Sequence, residues 1–257
     1  MNRLPARYGL LWIRAGFALF KARPFFLTNL LFFYMLVVIF SSMIPFIGQF
    51  VPIFTASIFS FLFMTATVKL ERNEPLTITG LFQVLNRESV FRLLALGSCY
   101  ALFGMIAAGI STLVDHGQLF ALLMAKDESV LAQTDWNRVG MSAGLILAVY
   151  IPFFMGTWFA GPLIGWRQMS LGKALFYSFF SVAHAWRAFL AYMVSWVLIG
   201  VAFPMFVGMI VGPLAGGFIG GVILYVLSVG LTTIMYCSFY PTYREIFGIP
   251  ITDPDNF

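Results

Sequence analysis

Few residues in this chain have the chemistry for catalysis, and they are scattered. The two histidines are His116, beside Asp115, and His184. One His next to one Asp falls short of the three or four ligands a metal needs, so no metal site is expected. His184 is expected to be solvated or to face a membrane headgroup rather than to act as a catalytic base. Cys99 and Cys237 stand alone inside long apolar runs, where a thiol behaves as a small apolar side chain. No phosphate loop, nucleophile elbow, zinc-binding His-Glu-x-x-His or dinucleotide fingerprint is present. The expectation is a chain that is not an enzyme and uses no cofactor. An enzyme acting on lipid would have to rest on Asp, Glu, Ser and Arg at one membrane face, and no paired spacing suggests it.

What remains is chemistry of binding. Pro152 and Pro204 fall deep in apolar runs. A proline in a helix frees the carbonyl one turn earlier and kinks the chain, and a broken helix can line an intramembrane site. Thr157 and Trp158 follow Pro152, and Ser195 and Trp196 precede Pro204, so these six residues mark the candidate pocket. A second group is basic. Arg7, Arg14 and Lys21 recur every seven residues on one helical stripe, with Arg23 just beyond. That pattern suits a rim against lipid headgroups. Small residues recur at intervals of four at Gly97, Ala101, Gly104 and Ala108, and again at Gly208, Gly212, Gly216 and Gly220. Such spacing lets helices approach closely.

The elements that must position these residues are set by charge. Of 257 residues, 61% are hydrophobic and 10% charged, against about 25% charged in soluble domains. Charge-free runs of 45, 22, 28 and 56 residues separate Arg23 from Lys69, Arg92 from Asp115, Arg138 from Arg167, and Arg187 from Arg244. A bilayer core takes about 20 helical residues to cross. The runs therefore hold two, one, one and two spans, placed at about 25–43, 50–68, 93–113, 140–164, 188–210 and 217–240. The continuous apolar runs favour helices over the alternating strands of a barrel. No cleavable leader is read at the N-terminus, because Arg14 and Lys21 interrupt the early apolar stretch. Thirteen of the fifteen Lys and Arg residues fall on one side of these spans. Lys126 and Arg138 fall on the other, beside Asp115, Asp127, Glu128 and Asp135. The positive-inside rule then expects both termini in the cytoplasm. The net charge of +5 is accounted for by lipid headgroups and calls for no nucleic acid.

Residues 8–22, 77–87 and 171–185 each read as an amphipathic helix at the interface, with Thr77 and Ser170 as N-caps. They align with constant offsets. Ile13, Phe17, Leu19, Phe20, Lys21 and Phe26 match Ile78, Phe82, Val84, Leu85, Asn86 and Phe91. Both sets match Phe176, Phe180, Val182, Ala183, His184 and Phe189. The fold expected is an all-α membrane protein, one transmembrane domain over 1–257. Its six transmembrane helices form three pseudo-repeats (about 6–70, 76–168 and 170–247), each preceded by an amphipathic interfacial helix. An external insertion occupies 114–137, with an amphipathic stretch at 118–125.

Four motifs complete the sequence reading: Gly9-Leu10-Leu11-Trp12-Ile13 with Phe17-Ala18-Leu19-Phe20; Ile44-Pro45-Phe46-Ile47-Gly48; Lys173-Ala174-Leu175-Phe176-Tyr177-Ser178-Phe179; and Tyr240-Pro241-Thr242-Tyr243-Arg244. Together they resemble a family of uncharacterised six-span inner-membrane proteins of proteobacteria, distantly similar to the membrane domain of glycerophosphodiester phosphodiesterases. The resemblance covers nearly the whole chain. It implies a bacterial inner-membrane location and brings no catalytic residues with it. Two functions are expected from this sequence. One is a non-enzymatic, lipid-interacting accessory or scaffold protein, with membrane lipids and a membrane-protein partner. The other is a transporter or channel for a small or amphiphilic solute.

Overall fold

The computed structural model describes residues 4–46, 48–124 and 134–250, and these are helical with no strand among them. Arg3, Ile47, Lys126, Asp127, Glu128 and the chain beyond Pro250 lie outside the described residues. Helices are α1 (Arg7–Ala22), α2 (Pro24–Ser42), α3 (Val51–Glu71), α4 (Ile78–Phe82), α5 (Arg87–Asp115), α6 (Gln118–Met124), α7 (Trp136–Thr157), α8 (Ala160–Arg167), α9 (Leu171–His184) and α10 (Trp186–Phe247). Six stretches are long and apolar enough to cross a membrane: α2, α3, α5, α7 with α8, and the two legs of α10.

Local chemistry sets several helix ends. Thr77 accepts the Gly80 N–H at 3.2 Å and starts α4. Asn86 accepts the Ser89 N–H at 2.7 Å and starts α5. Asp135 takes the N–H groups of Asn137 and Arg138 and starts α7. Each satisfies a donor that an open helix end would leave bare. Ser170 occupies the first position before α9 with extended backbone but makes no side-chain cap bond. The expected helix over 77–87 is shorter than read: α4 covers Ile78–Phe82, and the Asn86 cap restarts the chain as α5. A capping side chain one turn on ends one helix by beginning another.

The last two spans form one helical stretch that doubles back. Tyr192 and Ser238 hydroxyls lie 2.5 Å apart, and a side chain on Gly208 would touch Leu224 at 3.6 Å. These pairs are symmetric about residues 215–216, so the hairpin reverses where the sequence places its outside turn. α1 lies across this hairpin. A Cβ on Gly9 would sit 2.6 Å from the Ala188 carbonyl oxygen, on the first leg. One on Gly16 would sit 2.6 Å from the Ser238 Cα, on the second. Seven helical residues span about 10 Å, and packed helices sit 8–10 Å apart, so α1 bridges the legs rather than running along one. Trp12, between the glycines, packs on Phe189 and Tyr192 with ring centroids at 5.2 and 5.9 Å.

α3 is the central post. From Phe61 to Val68 every residue is buried, the mark of a helix surrounded on all sides. Its Ser57 hydroxyl donates to the Leu93 carbonyl at 2.7 Å, tying it to α5. Gly97 backs onto Phe54 at the same contact. The Gly97–Ala108 stripe serves only at that end, since nothing lies within 4 Å of a Cβ on Gly104.

The fourth span breaks, though not at Pro152. α7 runs through Pro152 to Thr157, and the break falls at Trp158–Phe159. Pro162 lies four residues beyond Trp158, and a proline ring clashes with the carbonyl four residues earlier. The bond from Phe159 N–H to Met155 carbonyl is replaced by an inserted hydroxyl. Ser178 of α9 accepts the Phe159 N–H at 2.9 Å and donates to the Met155 carbonyl at 2.8 Å. Side-chain insertion of this kind is a recognised cause of helix kinks.

Candidate functional site

Five of the six pocket candidates lie on three separate concavities rather than one. Thr157 and Trp158 line a cavity of about 340 Å³ with Ser60, Tyr100, Tyr150 and Phe239. Pro152 and Thr157 line a groove of about 370 Å³ on the other side of α7, with Cys99, Leu102, Ile106 and Phe179. Phe103 and Phe153 belong to both. Their rings stack at 4.7 Å and 14°, so they stand as the partition between cavity and groove. Trp196 and Pro204 line a small space of about 160 Å³ inside the α10 hairpin, facing Ser228 and Thr232. Ser195 lines none of the three; its hydroxyl donates to the Ala191 carbonyl of its own helix at 2.7 Å. The cause is geometric. Residues one position apart on a helix point about 100° apart, and that rotation takes Ser195 off the face that carries Trp196.

The break in the fourth span fixes the largest ring of the central cavity. Trp158 sits in it, its indole N–H donating to Thr242 at 3.2 Å. Its ring meets Phe154, Phe189, Tyr192 and Phe239 with centroids 4.9–5.8 Å apart, within the range of favourable aromatic pairs. Pro162 and Ser178, which set this geometry, were not picked out from the sequence. Gly161-Pro162 in a span was the available signal for the first. Ser178 gave none, because its partners are 19 and 23 residues away.

Below the cavity the spans close. Phe61, Phe159, Leu163, Ile164, Tyr240 and Tyr243 are buried together in one cluster. Polar side chains lock its rim, the basic face of the bundle. Arg244 pairs with Glu71, which also accepts the Tyr240 hydroxyl. Arg72 donates to the Pro250 carbonyl. Arg92 donates to the Gln168 carbonyl at 2.6 Å and pairs with Glu88. Arg167 donates to the Phe247 carbonyl at 2.8 Å. The ends of the second, fourth and sixth spans are thereby cross-tied.

The four candidate headgroup residues are placed differently. Arg7, Arg14 and Lys21 are exposed on α1, away from its buried Gly9–Trp12–Gly16 face, and Arg23 is exposed between α1 and α2. Among the described residues none of the four makes an ion pair. Arg23 also borders a pocket of about 440 Å³ whose floor includes Phe26, Leu70 and Leu76. The Glu74 in that pocket is held by Lys69 and Arg72 at 3.9 and 3.6 Å, which leaves Arg23 facing it with no carboxylate partner.

At the opposite end Asp115 accepts the Ser111 hydroxyl at 2.8 Å. His116, in the left-handed conformation at φ 56°, ends α5 and meets Arg138 at 2.9 Å. Arg138 in turn pairs with Asp135 at 3.3 Å. These groups brace the α5–α7 connection. Among the described residues no three His, Cys, Asp or Glu side chains gather as a metal site would require, and the two cysteines are unlinked.

Among known proteins, the chain is similar to a probable inner membrane protein of Burkholderia thailandensis. The two are 28% identical over 252 residues, 95% of this chain and 92% of that protein. No family model and no solved structure matches. The similarity names an inner-membrane protein. With six apolar helices of spanning length, it supports a multi-pass inner-membrane protein.

Proposed function

We propose that this chain is a non-enzymatic, lipid-interacting accessory or scaffold protein of the inner membrane, seated with its basic face and both termini in the cytoplasm. The observation that carries this reading is the division of labour among cations. Arg92 and Arg244 are ion-paired within the protein, whereas Arg7, Arg14, Lys21 and Arg23 are exposed without an ion pair. A Lys or Arg near an anionic surface contributes roughly 1 kcal/mol, so an unpaired row is suited to headgroups. The crossing of α1 over the hairpin legs supports its role as an interfacial helix. The shared position of Glu71, Arg167 and Arg244 at the ends of the even-numbered spans supports three related units, each an interfacial helix followed by a span pair. A membrane-protein partner belongs to the same reading, and no nucleic acid does.

Native mass spectrometry on the protein released from anionic membranes tests it. The variant with Arg7, Arg14, Lys21 and Arg23 all changed to Gln should retain at least ~10-fold less anionic phospholipid. Equal retention would remove the rim from the account.

A transporter or channel for a small or amphiphilic solute is the second reading. The cavity beside the broken fourth span favours it, since such breaks line substrate sites. Against it stands the buried block below the cavity, where Phe61, Leu163, Ile164 and Tyr240 leave less than 2% of their surface exposed. A passage would have to part this block.

A further inference from the structure

The cavity at the break contains an anomaly of hydroxyl groups. In apolar surroundings a Ser or Thr hydroxyl usually returns its proton to a carbonyl of its own helix. Thr65, Ser195, Ser228 and Thr232 each do so at 2.7–2.9 Å. Ser60, Tyr100 and Tyr150, which line the cavity, have no hydrogen-bond partner within the described protein. Ser60 and Phe103 lie close to the middle of their spans, where water is scarce and an unpaired hydroxyl costs free energy. Three hydroxyl-bearing residues therefore line one space.

The rest of the wall selects the kind of acceptor. Seven of the nine lining residues are aromatic and none is charged. A charged ligand would lose its hydration there with no counter-ion to offset the loss. Rings pack well against rings, edge-on or offset. A cavity of about 340 Å³ is roughly twice the 150 Å³ that accepts a benzene, which leaves room for a substituted ring. Next to it, across the Phe103–Phe153 stack, runs the groove lined by Leu102, Ile106 and Val149. That groove opens on the flank of the helix bundle, where a lipid tail can lie.

We infer that the cavity binds an uncharged lipid whose ring headgroup carries carbonyl acceptors, as a quinone-type prenyl lipid does, with its tail leaving along the groove. The inference deepens the lipid-interacting reading and rests on it. Ser60, Tyr100 and Tyr150 donate to the ring oxygens, Trp158 packs against the ring, and Phe103 with Phe153 forms the threshold between head and tail.

The test uses the full chain in nanodiscs of neutral phospholipid, titrated with decyl-benzoquinone while tryptophan fluorescence is followed. Saturable quenching is expected, and Trp158→Phe should remove most of its saturable part. Ser60→Ala with Tyr100→Phe should weaken the apparent Kd by about 10-fold, as expected for lost hydrogen bonds in a shielded site. Both changes are small, and an unchanged thermal midpoint would show that the bundle still folds. Decanol, which has the tail without the ring, should compete at least ~10-fold less well. The inference is overturned if decanol competes equally, if quenching never saturates, or if it survives Trp158→Phe. Those outcomes leave the basic-rim reading standing, because retention of anionic lipid at Arg7–Arg23 is measured separately.

Discussion

The two halves of the spans differ in what surrounds them. Toward the basic face, Phe61–Val68, Ala160–Trp166 and Tyr240–Tyr243 are buried among one another and cross-tied by Arg92, Arg167 and Arg244. Toward the other end the side chains point outward: Leu113 is 84% exposed, Met209 80% and Phe218 86%. Within a bilayer, apolar surface gains little by leaving lipid for protein, so close fit and polar ties decide which helices hold together. The basic half has both. The opposite half has mainly the hairpin contact at Gly208 and the His116–Arg138 contact. The first is a clamp with fixed geometry, and the second is a sleeve of helices solvated by lipid.

Breaking the fit of the clamp should have the largest effect. A side chain on Gly16 would overlap the backbone of Ser238, so Gly16→Leu should abolish a monodisperse protein or lower stability by well over the roughly 1–3 kcal/mol of ordinary overpacking. Gly104→Leu, in the open half, should leave the thermal midpoint in detergent within error. Equal damage at both sites would erase the contrast between the halves.

A smaller effect is expected at the hydroxyl inserted into the fourth span. Ser178→Ala leaves the Phe159 N–H and the Met155 carbonyl without their partner, a loss of about 1–3 kcal/mol. Ser228→Ala, whose hydroxyl only returns to its own helix, should change stability by less than about 0.5 kcal/mol. Thermal unfolding of the two variants side by side separates a structural hydroxyl from an incidental one. The partly exposed Glu71–Arg244 tie comes next. Glu71→Gln should cost about 1 kcal/mol, reduced by solvent screening, and Arg244→Gln added to it should cost little more. Additive losses would show that the two residues act independently.

Much of the clamp and sleeve was legible in advance, for reasons specific to membranes. A charge at a span centre is so costly that charge-free runs alone place the six spans. Caps at Thr77 and the reversal after Gly208 follow from local chemistry. The buried face of α1 was less legible. In water, the apolar stripe Leu10, Ile13, Phe17 and Phe20 would be the face to bury. Beside lipid that logic relaxes: Leu10 and Phe17 stay outward, while Gly9, Trp12 and Gly16 dock because small residues permit close approach. The candidate pocket was half legible. Trp158 and Thr157 do line the main cavity, yet Pro152 only borders the groove and the break belongs to Pro162. Long-range insertions such as Ser178 leave no periodic trace in a sequence.

The most direct test of a clamped, lipid-solvated bundle is an experimental structure in nanodiscs of mixed neutral and anionic phospholipid. Lipid chains are expected around the open halves of α5, α7 and α10, with headgroups at Arg7, Arg14, Lys21 and Arg23 and no lipid inside the Phe61–Tyr243 block. Open halves covered by a second copy of the chain, with no headgroup at those four cations, would contradict it.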